Sequence, residues 1–133
     1  MKIVILVNPS LGPGLAANTA AVLGISLGHR HPAIIGPDLL DHSGTLHPGI
    51  TQKNIPILGL DSQGLKTIYD KARKIKGIEI LGFNTIAQKS RHYEEYGKKL
   101  AALATRDIDF SGICLKGPKL SIEKLTGALP LLK

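Results

Sequence analysis

The chain has 133 residues, 43% of them hydrophobic, with two Phe, three Tyr, no Trp, a single Cys and a formal net charge of +7. That length suits one α/β domain over residues 1–133 with a continuous core, and it excludes the need for a disulfide or metal staple, the former ruled out anyway by one cysteine. With so few aromatics the core must be built from Ile, Leu, Val and Ala, which is how helices pack on a sheet.

Met1-Lys2 opens directly into Ile3-Val4-Ile5-Leu6-Val7. This run is too short to span a bilayer or to act as a secretory signal, so the sequence points to a cytoplasmic protein with no membrane partner. Its unbroken β-branched and aliphatic character predicts a central strand covered on both faces. Gly12-Pro13-Gly14 then opens a helix over residues 14–27, with Leu15, Thr19, Val22 and Leu23 at helical spacing and Gly24 and Gly28 loosening or ending it. Between His29 and Asn54 three prolines and several glycines predict an irregular segment, in which Asp41-His42-Ser43-Gly44 joins Leu39-Leu40 to Thr45-Leu46 as a hairpin turn.

Residues 55–60 read as a second strand that Pro56 pushes toward an edge. Asp61 or Ser62 caps the next helix, whose apolar positions Leu65, Ile68, Tyr69, Ala72 and Ile75 keep one face and whose cations gather at the C-terminal end, where the helix dipole favours them. Gly77 ends it and residues 78–83 form a third strand. A helix from Ser90 to Leu103 is supported by the pairs Glu94 with Lys98 and Glu95 with Lys99. Phe110 to Leu115 is the fourth strand, with Cys114 inside it as a buried small hydrophobe. Gly117-Pro118 breaks that strand, Ser121 caps a helix through Thr126, and Leu129 to Leu132 pairs with or packs on the sheet.

Several constellations carry chemical readings. Gly12-x-Gly14-x-x-Ala17, with Asp38 downstream, satisfies a dinucleotide fingerprint in form. Yet four residues separate the strand from Gly12, and Pro13 removes a backbone donor. The looser expectation is that free N–H groups at the helix start bind a phosphate or carboxylate, helped by Asn8, Ser10 and Asn18. His29, His31, His42 and His47 lack ligand spacing, so neither a metal nor a cofactor is implied. Neither the G-x-S-x-G elbow nor the G-x-x-x-x-G-K-[ST] loop occurs. Lys89, Arg91, His92 and Lys116 would form an anion cluster if the third strand's exit and the fourth strand's end share one sheet edge. The basic surplus lies in the second half, fourteen Lys or Arg against eight acids after residue 60, and would attract RNA or other polyanions.

Gly12 through Leu23, His47-Pro48-Gly49-Ile50, Pro56-Ile57-Leu58-Gly59, Tyr93-Glu94-Glu95-Tyr96 and Lys124 through Leu132 together resemble an uncharacterised family, the domain of unknown function numbered two thousand. That family is in turn similar in fold to the second, archaeal and eukaryotic class of peptidyl-tRNA hydrolase. The resemblance implies a three-layer domain with a mixed, mostly parallel sheet of about four strands and helices on both faces. The hydrolase's Gly-Lys-Gly-Lys-hydrophobic-Ala-Ala-Gln segment is answered by Gly12-Pro13-Gly14-Leu15-Ala16-Ala17-Asn18, without the lysines. Asn84, in Asn84-Thr85-Ile86-Ala87-Gln88, stands where that class has a functional aspartate, and an amide cannot act as a general base. The similar ending implies that Thr126-Gly127 lines the same pocket edge as the Gly12 loop.

Three functions follow as expectations. The first is a binding module for a small anionic ligand or RNA element at Asn8, Ser10, Gly12, Gly14, Asn18, Asn84, Thr85, Thr126 and Gly127. The second is a hydrolase or transferase with Lys89 or His92 as its acid or base. The third is a self-associating interaction protein, with a homodimer as its partner state.

Overall fold

A computed structural model describes all residues 1–133. Four strands, β1 (Lys2–Val7), β4 (Ile57–Gly59), β5 (Glu79–Asn84) and β6 (Phe110–Gly117), form one sheet in the order β4-β1-β6-β5. Two short strands, β2 (Leu39–Leu40) and β3 (Leu46–His47), form a separate ribbon. The helices are α1 (Pro13–Arg30), α2 (Ser62–Arg73), α3 (Thr85–Lys89), α4 (Tyr93–Ala101) and α5 (Lys119–Thr126).

Residues 3–7 of β1 are all buried, as an unbroken apolar run requires. Alternate side chains serve opposite faces. Val4 and Leu6 join Leu65 and Ala72 of α2 and Ile122 of α5, whereas Ile3, Ile5 and Val7 join Ala16, Leu23 and Leu27 of α1. The sheet is therefore clad by α1 on one face and by α2 and α5 on the other.

The expectation of a mostly parallel sheet is corrected. Only β1 and β4 run parallel; β6 lies antiparallel to both β1 and β5. The cause is the β5-to-β6 connection. Parallel pairing needs a crossover that carries the chain back along the sheet, but α3 has only five residues and α4 nine, and Thr85 N, just past β5, donates to Asp109 O, just before β6, at 2.9 Å. The chain turns at one edge and returns alongside.

Other boundaries move for local reasons. α1 continues through Gly24 and Gly28 to Arg30. Each interior glycine costs about 0.5–1 kcal/mol, less than the roughly 1.5–3 kcal/mol gained by each fully buried leucine, here Leu23 and Leu27. The Ser90–Leu103 helix is shorter at both ends and preceded by α3. The Glu95–Lys99 pair forms at 2.7 Å, whereas Glu94 pairs with nothing. Asp61 does cap α2, accepting from Gly64 N at 2.7 Å. Ser121 does not cap α5, which starts two residues earlier behind Pro118. The C-terminal tail docks on the sheet's edge: Leu131 bridges Leu58, Gly59 N donates to Pro130 O and Leu132 N to Ile57 O.

Candidate functional site at the carboxyl edge of the sheet

β1, β4 and β5 all end at the same edge, the place where α/β sheets commonly hold ligands. There Asn8 Oδ1 accepts from Ser10 N at 3.0 Å, folding Pro9–Leu11 into a single 3-10 turn. Gly12 follows at φ 82° and ψ 164°, a backbone region that essentially only glycine occupies. Pro13 then starts α1, its fixed φ suited to a first helical position. No side chain caps the helix, and although Ala16 N donates to Gly12 O at 3.0 Å, the amides of Gly14 and Leu15 meet no acceptor in the chain. A Cβ at Gly12 or Gly14 would meet nothing within 4 Å, so the mouth of this eighteen-residue helix is open. Asn18, exposed, lies one turn beyond Gly14 on the same face.

Beneath the mouth runs a buried polar seam. Ser111 Oγ donates to Gln88 Oε1 at 2.9 Å, Gln88 Nε2 donates to Thr19 Oγ1 at 3.4 Å, and Thr19 Oγ1 donates to Leu15 O at 2.8 Å. Asn8 N donates to Ser111 O at 3.0 Å, tying the loop to the same strand. Gly112 permits the approach: a Cβ there would fall 2.6 Å from Thr19 Cγ2 and 2.7 Å from Leu6 O. The sequence placed Thr19 on the inner face of the helix and Gln88 after the third strand, but assigned neither them nor Ser111 a role in the site. The available signal was a hydroxyl at each of two core-facing positions, since buried polar groups need partners.

Asn84 is buried, its Oδ1 accepting from Ala87 N at 2.8 Å and its Nδ2 donating to Tyr96 Oη at 3.2 Å. It caps α3 and joins that cap to α4. Thr85 begins α3 beside it. A cleft of about 370 Å³ lies between α1, the β5 edge and the start of α4, lined by Val22, Ser26, Phe83, Arg91, His92 and Tyr93. Tyr93 is 80% exposed, and its ring centroid lies 5.5 Å from that of Tyr96. Lys89 lies outside this cleft at the end of α3, and neither Lys89 nor His92 has a polar side-chain partner, so no acid–base pair is assembled there.

Two expected groupings do not assemble. Lys116 pairs in register with Ile3 and Glu79, at the amino ends of β1 and β5, and so sits at the opposite edge from Lys89, Arg91 and His92. Thr126 is buried on α5, donating to Ile122 O at 2.8 Å, and α5 covers the face opposite α1. Thr126 and Gly127 thus belong to the helix that covers the other face from α1. The tail reaches the Gly12 loop instead: a Cβ on Gly59 would lie 3.8 Å from Leu132 Cα and 3.9 Å from Pro9 Cγ.

Two of the five histidines are engaged elsewhere. His31 Nε2 lies 3.1 Å from both Glu79 oxygens, and His47 Nε2 is 2.9 Å from Asp41 Oδ2. No three His, Cys, Asp or Glu side chains gather into a metal-holding group. Cys114 is buried, and burial, aided by the Glu79 charge, pushes its thiol up to about 12, so it is neither thiolate nor nucleophile at neutral pH. No helix is long and apolar enough to cross a membrane.

Among known proteins, a family profile described as "Protein of unknown function (DUF2000)" matches residues 1–133. A solved structure of a protein of unknown function, Atu0240 from Agrobacterium tumefaciens strain C58, superposes with a TM-score of 0.89 at 17% identity, covering 98% of this chain and 96% of that one. The likeness is one of fold. No curated protein matches.

Proposed function

We propose, for a chain that belongs to the family Protein of unknown function (DUF2000), that it binds a small phosphate- or carboxylate-bearing ligand at the mouth of α1. The observation that carries this reading is Gly12. Its glycine-only backbone leaves the Gly14 and Leu15 amides uncapped at the positive end of an eighteen-residue helix, and a glycine there lets the backbone approach a ligand closely. Helix N-termini favour anions because their free N–H groups and the dipole act together. Asn18 and Ser10 supply neutral donors at the rim.

In this reading the chain shares the arrangement of the second class of peptidyl-tRNA hydrolase with the charged groups removed. Gln88, Thr19 and Ser111 form a neutral seam with every polar atom partnered, and none of them is a competent base at neutral pH. Binding without hydrolysis is what such a set supports. An RNA element is the second reading, favoured by the exposed Tyr93 ring beside Arg91 and His92, a combination of stacking surface and cations suited to a single strand.

Thermal unfolding at low ionic strength tests both. Phosphate, pyrophosphate and nucleoside monophosphates should raise the Tm in a concentration-dependent way, and Gly12→Ala should abolish the rise while Tyr93→Ala leaves it. If only oligoribonucleotides bind, and Tyr93→Ala removes that binding, the RNA reading replaces the first. No shift with either class ends both.

A further inference from the structure

Residues 34–52 form an antiparallel arm that leaves the body of the domain. Its legs are tied by Gln52 N to Ile34 O and Gly36 N to Ile50 O, both at 2.8 Å, then by Gly49 N to Asp38 Oδ1 at 2.8 Å and by the β2–β3 pairing. At the tip Asp41 Oδ1 accepts from Ser43 N and Thr45 N. Ile34 and Ile55 pack against the core at the base, but nothing between them joins either core cluster. Along the arm Ile35, Leu39, Leu40, Leu46 and Ile50 are exposed, Leu40 to 68% and Ile50 to 79%.

Five exposed large aliphatic side chains on nineteen residues, with Leu40 and Leu46 side by side across the ribbon, give the arm the kind of apolar surface that marks an interaction site. An isolated two-stranded ribbon is also marginal in water, so a partner that covers the arm would hold it in place. Its charge says which partner. The arm carries Asp38 and Asp41, which also bond within the arm to Gly49 N and to Ser43 N, Thr45 N and His47 Nε2, and it carries none of the chain's seventeen Lys and Arg, all of which lie on the rest of the molecule. The complementary surface begins where the arm ends. A groove of about 640 Å³ is lined by Met1, Lys2, Ile3, Lys53, Ile55 and Lys119, apolar at its floor and basic at its rim. Lys2 and Lys119 share Glu123 at 3.5 and 4.0 Å, whereas Lys53 has no acid partner.

We infer that the arm docks into the Lys2–Lys53–Lys119 groove of a second copy of this chain, forming an arm-exchanged dimer. Arm and groove adjoin through Lys53, so the inferred contact is isologous, each copy giving its arm and receiving the other's about a two-fold axis. Such an interface closes as a dimer and does not propagate into a filament. Apolar burial supplies attraction, and the acid-to-lysine match supplies orientation and salt sensitivity.

Sedimentation equilibrium of the full chain should show a dimer whose dissociation constant rises with salt. Leu40→Glu with Ile50→Glu on the arm, and separately Lys53→Glu with Lys119→Glu in the groove, should each weaken it at least tenfold with the circular dichroism of the fold unchanged, while Lys98→Glu has no effect. Mixing Leu40→Cys with Asn54→Cys under mild oxidation should give the mixed disulfide in preference to like pairs. A monomer at all concentrations overturns the proposal and leaves the arm to a different partner. A dimer indifferent to both variant pairs, or a mixture without the mixed disulfide, also overturns it.

Discussion

Ser111 and Gln88 are joined by one hydrogen bond of 2.9 Å that spans twenty-three residues of sequence, and it is the point at which the helix after β5 is locked to the strand that returns beside it. Ser111 is fully buried and Gln88 is its side-chain partner. The same carboxamide reaches Thr19 of α1, so a single side chain connects the β5-to-α3 junction to the helix that opens the proposed site.

Gln88→Ala leaves the Ser111 hydroxyl without an acceptor in a dry place, which costs about 1–3 kcal/mol. Ser111→Ala in the same background removes the stranded donor, so the double variant should be less destabilised than the sum of the single variants. Urea titration measures all three. Strict additivity would show that the two side chains do not depend on each other.

Much of the fold was legible because its signals were local. The run Ile3 to Val7, the helical spacing from Leu65 to Ala72, the Asp61 cap and the turn at Asp41 each announce themselves within a few residues. Strand direction did not, since it depends on how the chain between Asn84 and Phe110 turns in space, and α3 is too short to show a period. The site divided along the same line. Asn8, Ser10, Gly12, Gly14 and Asn18 are near in sequence and near in space, whereas Thr19, Gln88 and Ser111 come from three separate elements and look like ordinary helix and strand residues in isolation. Asn84 does stand at the expected edge, where its amide bonds to Ala87 and Tyr96.

Cys114 provides a probe of the sheet's integrity. With its thiol held up to about 12 by burial and by Glu79, it should not react with iodoacetamide or an aromatic disulfide at pH 8 in the native protein, and it should react fully in urea. An unfolded thiol ionises near the ordinary 9.0, so stability should also fall as pH climbs above that value toward 12. Rapid native labelling would mean that β6 opens readily.

Glu79 ties the end of α1 to the start of β5. Partial burial raises its carboxyl, but hydrogen bonds from Arg30 at 2.8 Å and from His31 outweigh that and hold it below its ordinary 4.5. A lowered folded value means that its contribution is present above 4.5 and is lost as pH falls through the folded value. Glu79→Gln should therefore cost about 0.2–1 kcal/mol at pH 7, as partly exposed pairs do, and the difference from the native chain should vanish in acid. A gap that persists unchanged at low pH would show that packing, and not charge, is what Gln disturbs.

Anion binding at the α1 mouth can be measured without intermediaries by calorimetric titration of pyrophosphate into the native chain, Gly14→Val and Gly12→Ala at low salt. Gly14→Val places a branched side chain in the open space over the free amides, and Gly12→Ala strains the turn that exposes them. Binding to the native chain should be saturable, should weaken as salt rises, and should fall at least tenfold in both variants. Equal binding by all three proteins, or none by the native chain, would mean that the α1 mouth is not an anion site.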